Sequence, residues 1–452
     1  MQEPLPAELL ARYSDARIPR YTSYPTAPNF SAEIGEAHYR QWLASLTSTR
    51  GSLYLHVPFC RAMCWYCGCH TTVAAREAPV VRYLECLRHE MELVGRYTRG
   101  LLSIRHVHLG GGTPTLMPPV QMQLTMDHLQ SHFEIAPDTE IAIEIDPRTF
   151  TAEMAATLGK CGFNRTSIGV QSFDLVVQRA INRVQSFEVT QRSVELLRDN
   201  GVRGVNFDLV YGLPKQSVES CLETVERALA LRPDRFAVFG YAHVPSFKPH
   251  QRKIDGTSLP DSEGRFTQSR AIADTLVSAG YVEIGLDHFA LPKDALARAA
   301  VTGSLHRNFQ GYTTDDAEVL IGLGASSIGR LPQGFMQNEV RIPEYERLVR
   351  QCRLPVARGY SFAGEDRLRG AIIERLMCDH CVDLEATCRR FGEDPATVLD
   401  TLDLRPLIAD GLVEQDGACI SIKPNARPLV RSIAAAFDAH FVSAGDRHSR
   451  AV

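Results

Sequence analysis

Four of the twelve cysteines fall within ten residues: Cys60, Cys64, Cys67 and Cys69. The first three have the spacing C-x3-C-x2-C. Three thiolates in one loop can hold three irons of a cubane cluster and leave the fourth iron open to a small molecule. A cluster that only moves electrons normally takes four cysteine ligands. Cys69 is the obvious fourth candidate, but it lies two residues beyond Cys67, which makes simultaneous ligation awkward. Zinc is the competing reading, because C-x2-C occurs at Cys64/Cys67 and again at Cys378/Cys381. Structural zinc sites use two such pairs about 12–20 residues apart, far closer than these. The stretch Cys378-Asp379-His380-Cys381 lies on an amphipathic helical pattern and reads as buried free thiols.

The elements that must position this loop alternate in type. Leu53–Val57 reads as a buried strand that runs directly into it. A helical pattern covers Val80–Tyr97, with apolar spacings at Leu84, Leu87 and Met91. Further strands are expected at His106–Leu109, Glu140–Ile145, Arg165–Val170, Val205–Val210 and Arg235–Phe239, with a helix over Val189–Asp199. Gly110-Gly111-Gly112, Asp146-Pro147, Gly212-Leu213-Pro214 and Gly240 close four of them. Strands alternating with helices predict an α/β fold with parallel strands, and in a β/α barrel the loops at the strand C-termini build the site. Six such units predict a partial (β/α)6 barrel over 46–360, preceded by an extension over 1–45. From about residue 365 the rhythm changes. Helical patterns over Glu365–Met377, Leu384–Phe391 and Pro395–Leu402 lead to a hairpin with Asp416-Gly417 as its turn, then a helix over Pro428–Phe437. This predicts a small, mostly helical, winged-helix-like domain over 361–452.

The chain of 452 residues is 44% hydrophobic and 23% charged, a globular composition with a net charge of −4. That charge disfavours a nucleic-acid binder, although the C-terminal region carries Lys423, Arg427 and Arg431. No stretch approaches the roughly 18 apolar residues of a membrane helix. The start, Met1-Gln2-Glu3-Pro4, has no secretory pattern, so a cytoplasmic protein with reduced thiols is expected.

The cysteine loop past the first strand, followed by Gly110-Gly111-Gly112-Thr113-Pro114 after the second, resembles the radical S-adenosylmethionine (SAM) superfamily. Within it, the chain resembles the oxygen-independent coproporphyrinogen III oxidase (coproporphyrinogen dehydrogenase) family along nearly its whole length. The residues that carry this are Arg20–Thr26, Tyr54–Cys69, Glu144–Arg148, Gly169–Phe173, Asn182-Arg183, Asn206–Pro214, Tyr241–His243 and His306–Thr314. The sequence departs from the family pattern at Tyr66, where phenylalanine is common, and in the loop Ser246–His250.

The resemblance implies that Cys60, Cys64 and Cys67 hold one [4Fe-4S] cluster and that two SAM molecules share the site. The SAM on the cluster would meet Tyr54, Gly111, Glu144 and Ile328. The second would meet Tyr66, Gly112, Thr113, Gln171, Arg183, Asp208 and Ala242. The residue types suit these roles: Glu144 and Asp208 accept hydrogen bonds, Gln171 offers donor and acceptor, and Arg183 can clamp a carboxylate. Arg183 as a rim ion pair and Asp208 as a loop cap are the plain structural readings. The implied reaction is radical oxidative decarboxylation of two propionates of coproporphyrinogen III to vinyl groups, giving protoporphyrinogen IX. It would start from a 5′-deoxyadenosyl radical, with a flavodoxin or ferredoxin as electron donor. Arg20, His243, Arg252, Lys253, His306 and Arg307 are candidate anchors for the substrate carboxylates. The N-terminal segment and C-terminal domain read as lids over a monomeric enzyme. A heme-binding chaperone of the same family is the alternative. Arg20–Thr26 and His306–Thr314 count against it.

Overall fold

A computed structural model describes residues 5–14 and 16–441. The reading of Met1–Pro4 and the last part of the predicted C-terminal domain, 442–452, lie outside the described residues.

Six strands run parallel: β1 (Thr49–Val57), β2 (Leu102–Gly111), β3 (Glu134–Ile145), β4 (Arg165–Gln171), β5 (Gly204–Tyr211) and β6 (Arg235–Gly240). They sit side by side in chain order, as crossover helices demand. Their centres are near-continuous apolar runs, and Leu53, Leu55 and Val57 are almost fully buried. The helix Ala78–Thr98 turns Leu84, Leu87, Met91 and Val94 onto this sheet. The six units form the predicted partial barrel, but the sheet continues past both ends.

Beyond β6 lie two short antiparallel strands, β7 (Val282–Ile284) and β8 (His288–Ala290), with β8 next to β6. A separate hairpin joins β9 (His306–Asn308) to β10 (Gly311–Thr313). On the other side of β1 stands β11 (Val319–Leu323), also parallel to it. The sheet then continues antiparallel through β12 (Ile328–Leu331), β13 (Gly334–Asn338) and β14 (Val356–Ser361), making twelve strands. Helix periodicity does not reveal β11, because no crossover helix precedes it in a regular βα unit.

The C-terminal region has its own apolar core around Leu376, Leu384, Leu412 and Ile433. The predicted hairpin is present as β16 (Val413–Asp416) and β17 (Cys419–Ile422), with β15 (Cys381–Asp383) pairing β17. Gly417 takes the positive φ of 56° that the turn needs. The last expected helix is divided: a 3-10 turn over Pro424–Leu429, an α-helix over Val430–Ala434, and another 3-10 turn. Pro428 lies inside the first turn and keeps that turn from joining the helix Val430–Ala434 as one continuous α-helix.

Cys381 corrects one expectation. The helix Asp366–Asp379 ends at His380, which adopts the left-handed conformation with φ 58°. Cys378 is buried as expected, but Cys381 is exposed on β15. The extension is shared between two cores. Tyr39, Trp42 and Leu43 pack on the large sheet, whereas Ile18, Tyr21 and Tyr24 pack into the C-terminal core.

Candidate active site

The cysteine loop leaves β1 through the short strand Phe59–Cys60, which pairs with Thr72–Val73. The β2 glycine turn backs it. The Gly112 amide donates to the Val57 carbonyl at 3.0 Å and the Thr113 amide to the Phe59 carbonyl at 2.7 Å. A Cβ on Gly112 would come within 2.5 Å of the Phe59 oxygen, so only glycine allows this approach. Gly111 has φ 114°, and a Cβ there would strike the His56 ring at 2.6 Å.

Each cysteine has its own surroundings. The hydroxyls of Thr71 and Thr113 donate toward Cys60 Sγ at 3.3 and 3.5 Å. Arg148 and Arg183 direct N–H groups at Cys64 Sγ from 3.4 and 3.6 Å. Cys67 is brought down to about 7, chiefly by a hydrogen bond from the Cys69 thiol and against the effect of burial. The Cys69 thiol is pushed far up, first by that same bond. Among the described residues no three His, Cys, Asp or Glu side chains gather around one metal ion. The N–H and O–H groups aimed at Cys60 and Cys64 fit anionic sulfur ligands.

The backbone of the loop is also gripped from outside. Asn182 donates to the Met63 carbonyl at 2.9 Å, and the Trp65 amide to Ile181 at 2.9 Å. His250 meets the Cys67 carbonyl at 2.8 Å and Lys248 the Cys69 carbonyl at 3.0 Å. Gln251, fully buried, donates to the carbonyls of Tyr66 and Ala242 and accepts from the Val244 amide. The loop Ser246–His250, which departs from the family pattern, is therefore a clamp on the cysteine loop.

Tyr54, Gly111 and Glu144 converge on neighbouring strands. Glu144 accepts from the Gly111 amide at 3.0 Å and faces His108 at 3.5 Å. Burial raises its carboxyl, but the His108 and Gly111 hydrogen bonds and the nearby histidines outweigh this and leave it below the ordinary value. The Tyr54 hydroxyl meets His56 Nδ1 at 2.9 Å, while His56 Nε2 meets the His70 carbonyl at 3.0 Å. A carbonyl only accepts, so Nε2 carries the proton and Nδ1 accepts from Tyr54. Tyr54 pairs in register with Gly322 of β11, and a Cβ on Gly322 would lie 2.7 Å from the Ile328 backbone. This places Ile328 beside the same group.

Of the remaining predicted residues, Gln171 closes β4, Asp208 lies within β5, Arg183 follows the helix Leu175–Ala180, and Ala242 lies just past β6. Gln171 sits at a register shift between Gly169 and Gln171, with a strained φ of 67°. Arg183 donates to the Gly169 carbonyl at 2.7 Å and faces both Asp146 oxygens at 3.4 Å. It is thus a rim ion pair, yet its Nε has no partner among the described residues. Asp208 accepts from Ser167 and Asn206, each at 2.8 Å, and burial pushes its carboxyl up to about 7. Tyr66 packs beside Val177, Ile181 and Leu213.

The candidate anchors separate. His306 faces Glu374 at 3.3 Å, His243 faces the Tyr241 hydroxyl at 2.8 Å, and Lys253 lies over the Trp65 ring. Arg252 is exposed on the clamp beside Gln251. Arg307 donates through Nη2 to the backbone carbonyl of Arg20 at 3.4 Å. The sequence alone assigns no role to Asp146, Arg148, His56, Gln251 or Asn182. For Asp146 and Arg148 the signal was their place just past the end of β3.

Residues 54–228 match the radical SAM superfamily and residues 362–429 the HemN C-terminal domain. The chain is 53% identical over 448 residues to the oxygen-independent coproporphyrinogen III oxidase of Bradyrhizobium diazoefficiens, covering 99% of this chain and 100% of that one. It is 43% identical to the protein of the same name from Paracoccus denitrificans, over 97% of each. The solved structure of coproporphyrinogen III oxidase (HemN) from Escherichia coli, described as a radical SAM enzyme, superposes with a TM-score of 0.91. It is 35% identical and covers 98% of this chain and 100% of that one.

Proposed function

The chain belongs to the oxygen-independent coproporphyrinogen III oxidase family of radical SAM enzymes, and on that premise we propose that its site turns two propionate side chains of coproporphyrinogen III into vinyl groups. The product is protoporphyrinogen IX, in heme biosynthesis without oxygen. The family uses a [4Fe-4S] cluster and SAM. When bound, at the site these residues form, they would supply hydrogen abstraction at the propionate β-carbon; CO2 and one further electron, passed to an acceptor, must then leave to give the vinyl group.

The observation that carries this reading is the glycine turn pressed against the cysteine loop, with N–H and O–H donors aimed at Cys60 and Cys64. Cys60, Cys64 and Cys67 are assigned as cluster ligands. Tyr54, Gly111, Glu144 and Ile328 are assigned to one SAM, which their neighbouring positions support. Glu144 stays ionised and can accept from an ammonium group. Tyr66, Gly112, Thr113, Gln171, Arg183, Asp208 and Ala242 are assigned to a second SAM. Gln251 supports this by tying Tyr66 to Ala242. Asp208 can accept from a ribose hydroxyl, and Arg183 has a spare N–H for a carboxylate.

The working units are the extension 1–45, the catalytic domain 46–360 and the C-terminal domain 361–452. Ile18–Tyr24, packed into the C-terminal core, serves to exclude water from the mouth. No described helix is long and apolar enough to cross a membrane. A cytoplasmic monomer reduced by a flavodoxin or ferredoxin, with no nucleic-acid partner, completes the proposal. Arg431 of the would-be winged helix is buried against the N-terminal segment rather than offered to a phosphate. Anaerobic reconstitution with iron and sulfide, then incubation with coproporphyrinogen III, SAM and a reductant, tests the reading. A divinyl product with 5′-deoxyadenosine is expected, and its absence from a fully loaded protein overturns it.

A further inference from the structure

Arg307 lies on β9 opposite Tyr312 of β10. Its guanidinium carbon stands 4.4 Å from the centre of the Tyr312 ring. That ring is fixed: its hydroxyl donates to the Met377 carbonyl at 2.8 Å and accepts from the Leu286 amide at 3.0 Å. Its other neighbour is His288, 5.2 Å between ring centres, which in turn packs on Phe239 at the end of β6. The stack therefore presents Arg307 at the C-terminal side of the barrel, where β6 leads into Ala242.

Among the described residues one Arg307 nitrogen has a hydrogen-bond acceptor in good geometry. Nη2 reaches the Arg20 carbonyl at 3.4 Å, while Nε and Nη1 are covered from water and have no hydrogen-bond partner among the described residues. Behind the pair, Arg431 donates through Nε to the Pro19 carbonyl at 3.1 Å and through Nη2 to Ile18. It thus holds the strand that carries Arg20. Burial, then the charges of Arg20 and Arg307, bring Arg431 down to about 9. The carboxylate that faces these arginines, Asp287, is engaged by His288 at 2.7 Å. Buried N–H donors on a charged group are costly without an acceptor, and gathered like charges add to that cost.

We propose that Arg307 and Arg20, seated on Tyr312 and on the strand held by Arg431, form a receptor for one propionate carboxylate of the tetrapyrrole. Nε and Nη1 lie on different edges of the guanidinium, and each edge is completed by Nη2, which the Arg20 carbonyl holds only at 3.4 Å; a carboxylate that takes over Nη2 meets two parallel donors, the fork that it fits. The inference rests on the tetrapyrrole reading above and specifies which basic groups recognise it. Arg252, Lys253, His243 and His306, whose neighbours already occupy or expose them, are not part of this receptor.

The test is binding to the anaerobically reconstituted full-length protein. Coproporphyrin III, the stable tetracarboxylate, is titrated by fluorescence quenching beside its tetramethyl ester. The wild type is expected to prefer the acid. Arg307→Gln is expected to weaken the acid by about tenfold to a hundredfold, as loss of a charge-assisted pair implies, and to leave the ester unchanged. Arg307→Lys keeps the charge without the fork and falls between the two. Arg20→Gln, an exposed change, gives the same selectivity if Arg307→Gln does not fold. Equal affinity of acid and ester in the wild type overturns the receptor. So does an equal fall for both ligands in a variant with normal iron content. Vinyl product is scored separately, so a receptor without turnover would remove the proposed reaction and leave the receptor standing.

Discussion

Gly112→Ala isolates how tightly the glycine turn is set against the cysteine loop. The added methyl would lie 2.5 Å from the Phe59 carbonyl oxygen, 2.7 Å from the Phe59 nitrogen and 2.7 Å from Thr71 Oγ1. Ordinary contact begins at 3.4 Å, so the backbone beside Cys60 must retreat by the difference, about 0.9 Å. A forced methyl of this kind costs about 1–3 kcal/mol. Retreat also lengthens the Thr113 amide bond to Phe59, now 2.7 Å, whose loss adds about 1 kcal/mol. Denaturant titration should show this loss of stability, and anaerobic reconstitution should give fewer than the about four irons per chain of a full cubane. Gly68→Ala is the control. It lies inside the cysteine loop, and a Cβ there meets nothing within 4 Å. It should match wild type in both measurements. If Gly112→Ala behaves like Gly68→Ala, the close approach of turn and loop is wrong.

Gln251→Leu removes the donor to Tyr66 and Ala242 and the acceptor for Val244. It should cost about 2–3 kcal/mol by denaturant titration and raise the KM for SAM more than it changes kcat; an unchanged KM refutes the tie. Glu90 is fully packed between the Gly324 amide, Tyr345 and Asn338, and burial raises its carboxyl from 4.5 to about 7. Between those values the folded chain keeps a proton that the unfolded chain has lost. Its contribution is therefore greatest below about 4.5 and falls by about 3 kcal/mol as pH rises past 7. In Glu90→Gln, unfolding measured from pH 5 to 8 should lose that slope relative to wild type. Arg148→Met removes the N–H that points at Cys64 from 3.4 Å. An EPR-monitored redox titration should then show a lower cluster midpoint potential, because a cation and hydrogen-bond donor near a ligand sulfur favour the reduced state. An unmoved midpoint removes Arg148 from that role.

The cysteine loop, the glycine turn and the alternation of strand and helix were legible in the sequence because each is local. Three thiols within eight positions can share one loop whatever surrounds it. Apolar runs closed by Gly or Pro mark strand ends, and Asp416-Gly417 marks a hairpin. The assigned roles of Tyr54, Gly111 and Glu144 rested on resemblance, while their meeting on adjacent strands came with the sheet order.

What tertiary structure alone decided is pairing across long separations. Glu90 meets Gly324, Lys248 and His250 reach back to the cysteine loop, and Arg307 meets the backbone carbonyl of Arg20. The strand Val319–Leu323 lies beside β1, and Tyr21 and Tyr24 pack into the core of the opposite terminus. No periodicity encodes such partners. Periodicity says which face of an element is buried, and only the folded sheet determines what that face, or a polar group at its rim, comes to touch.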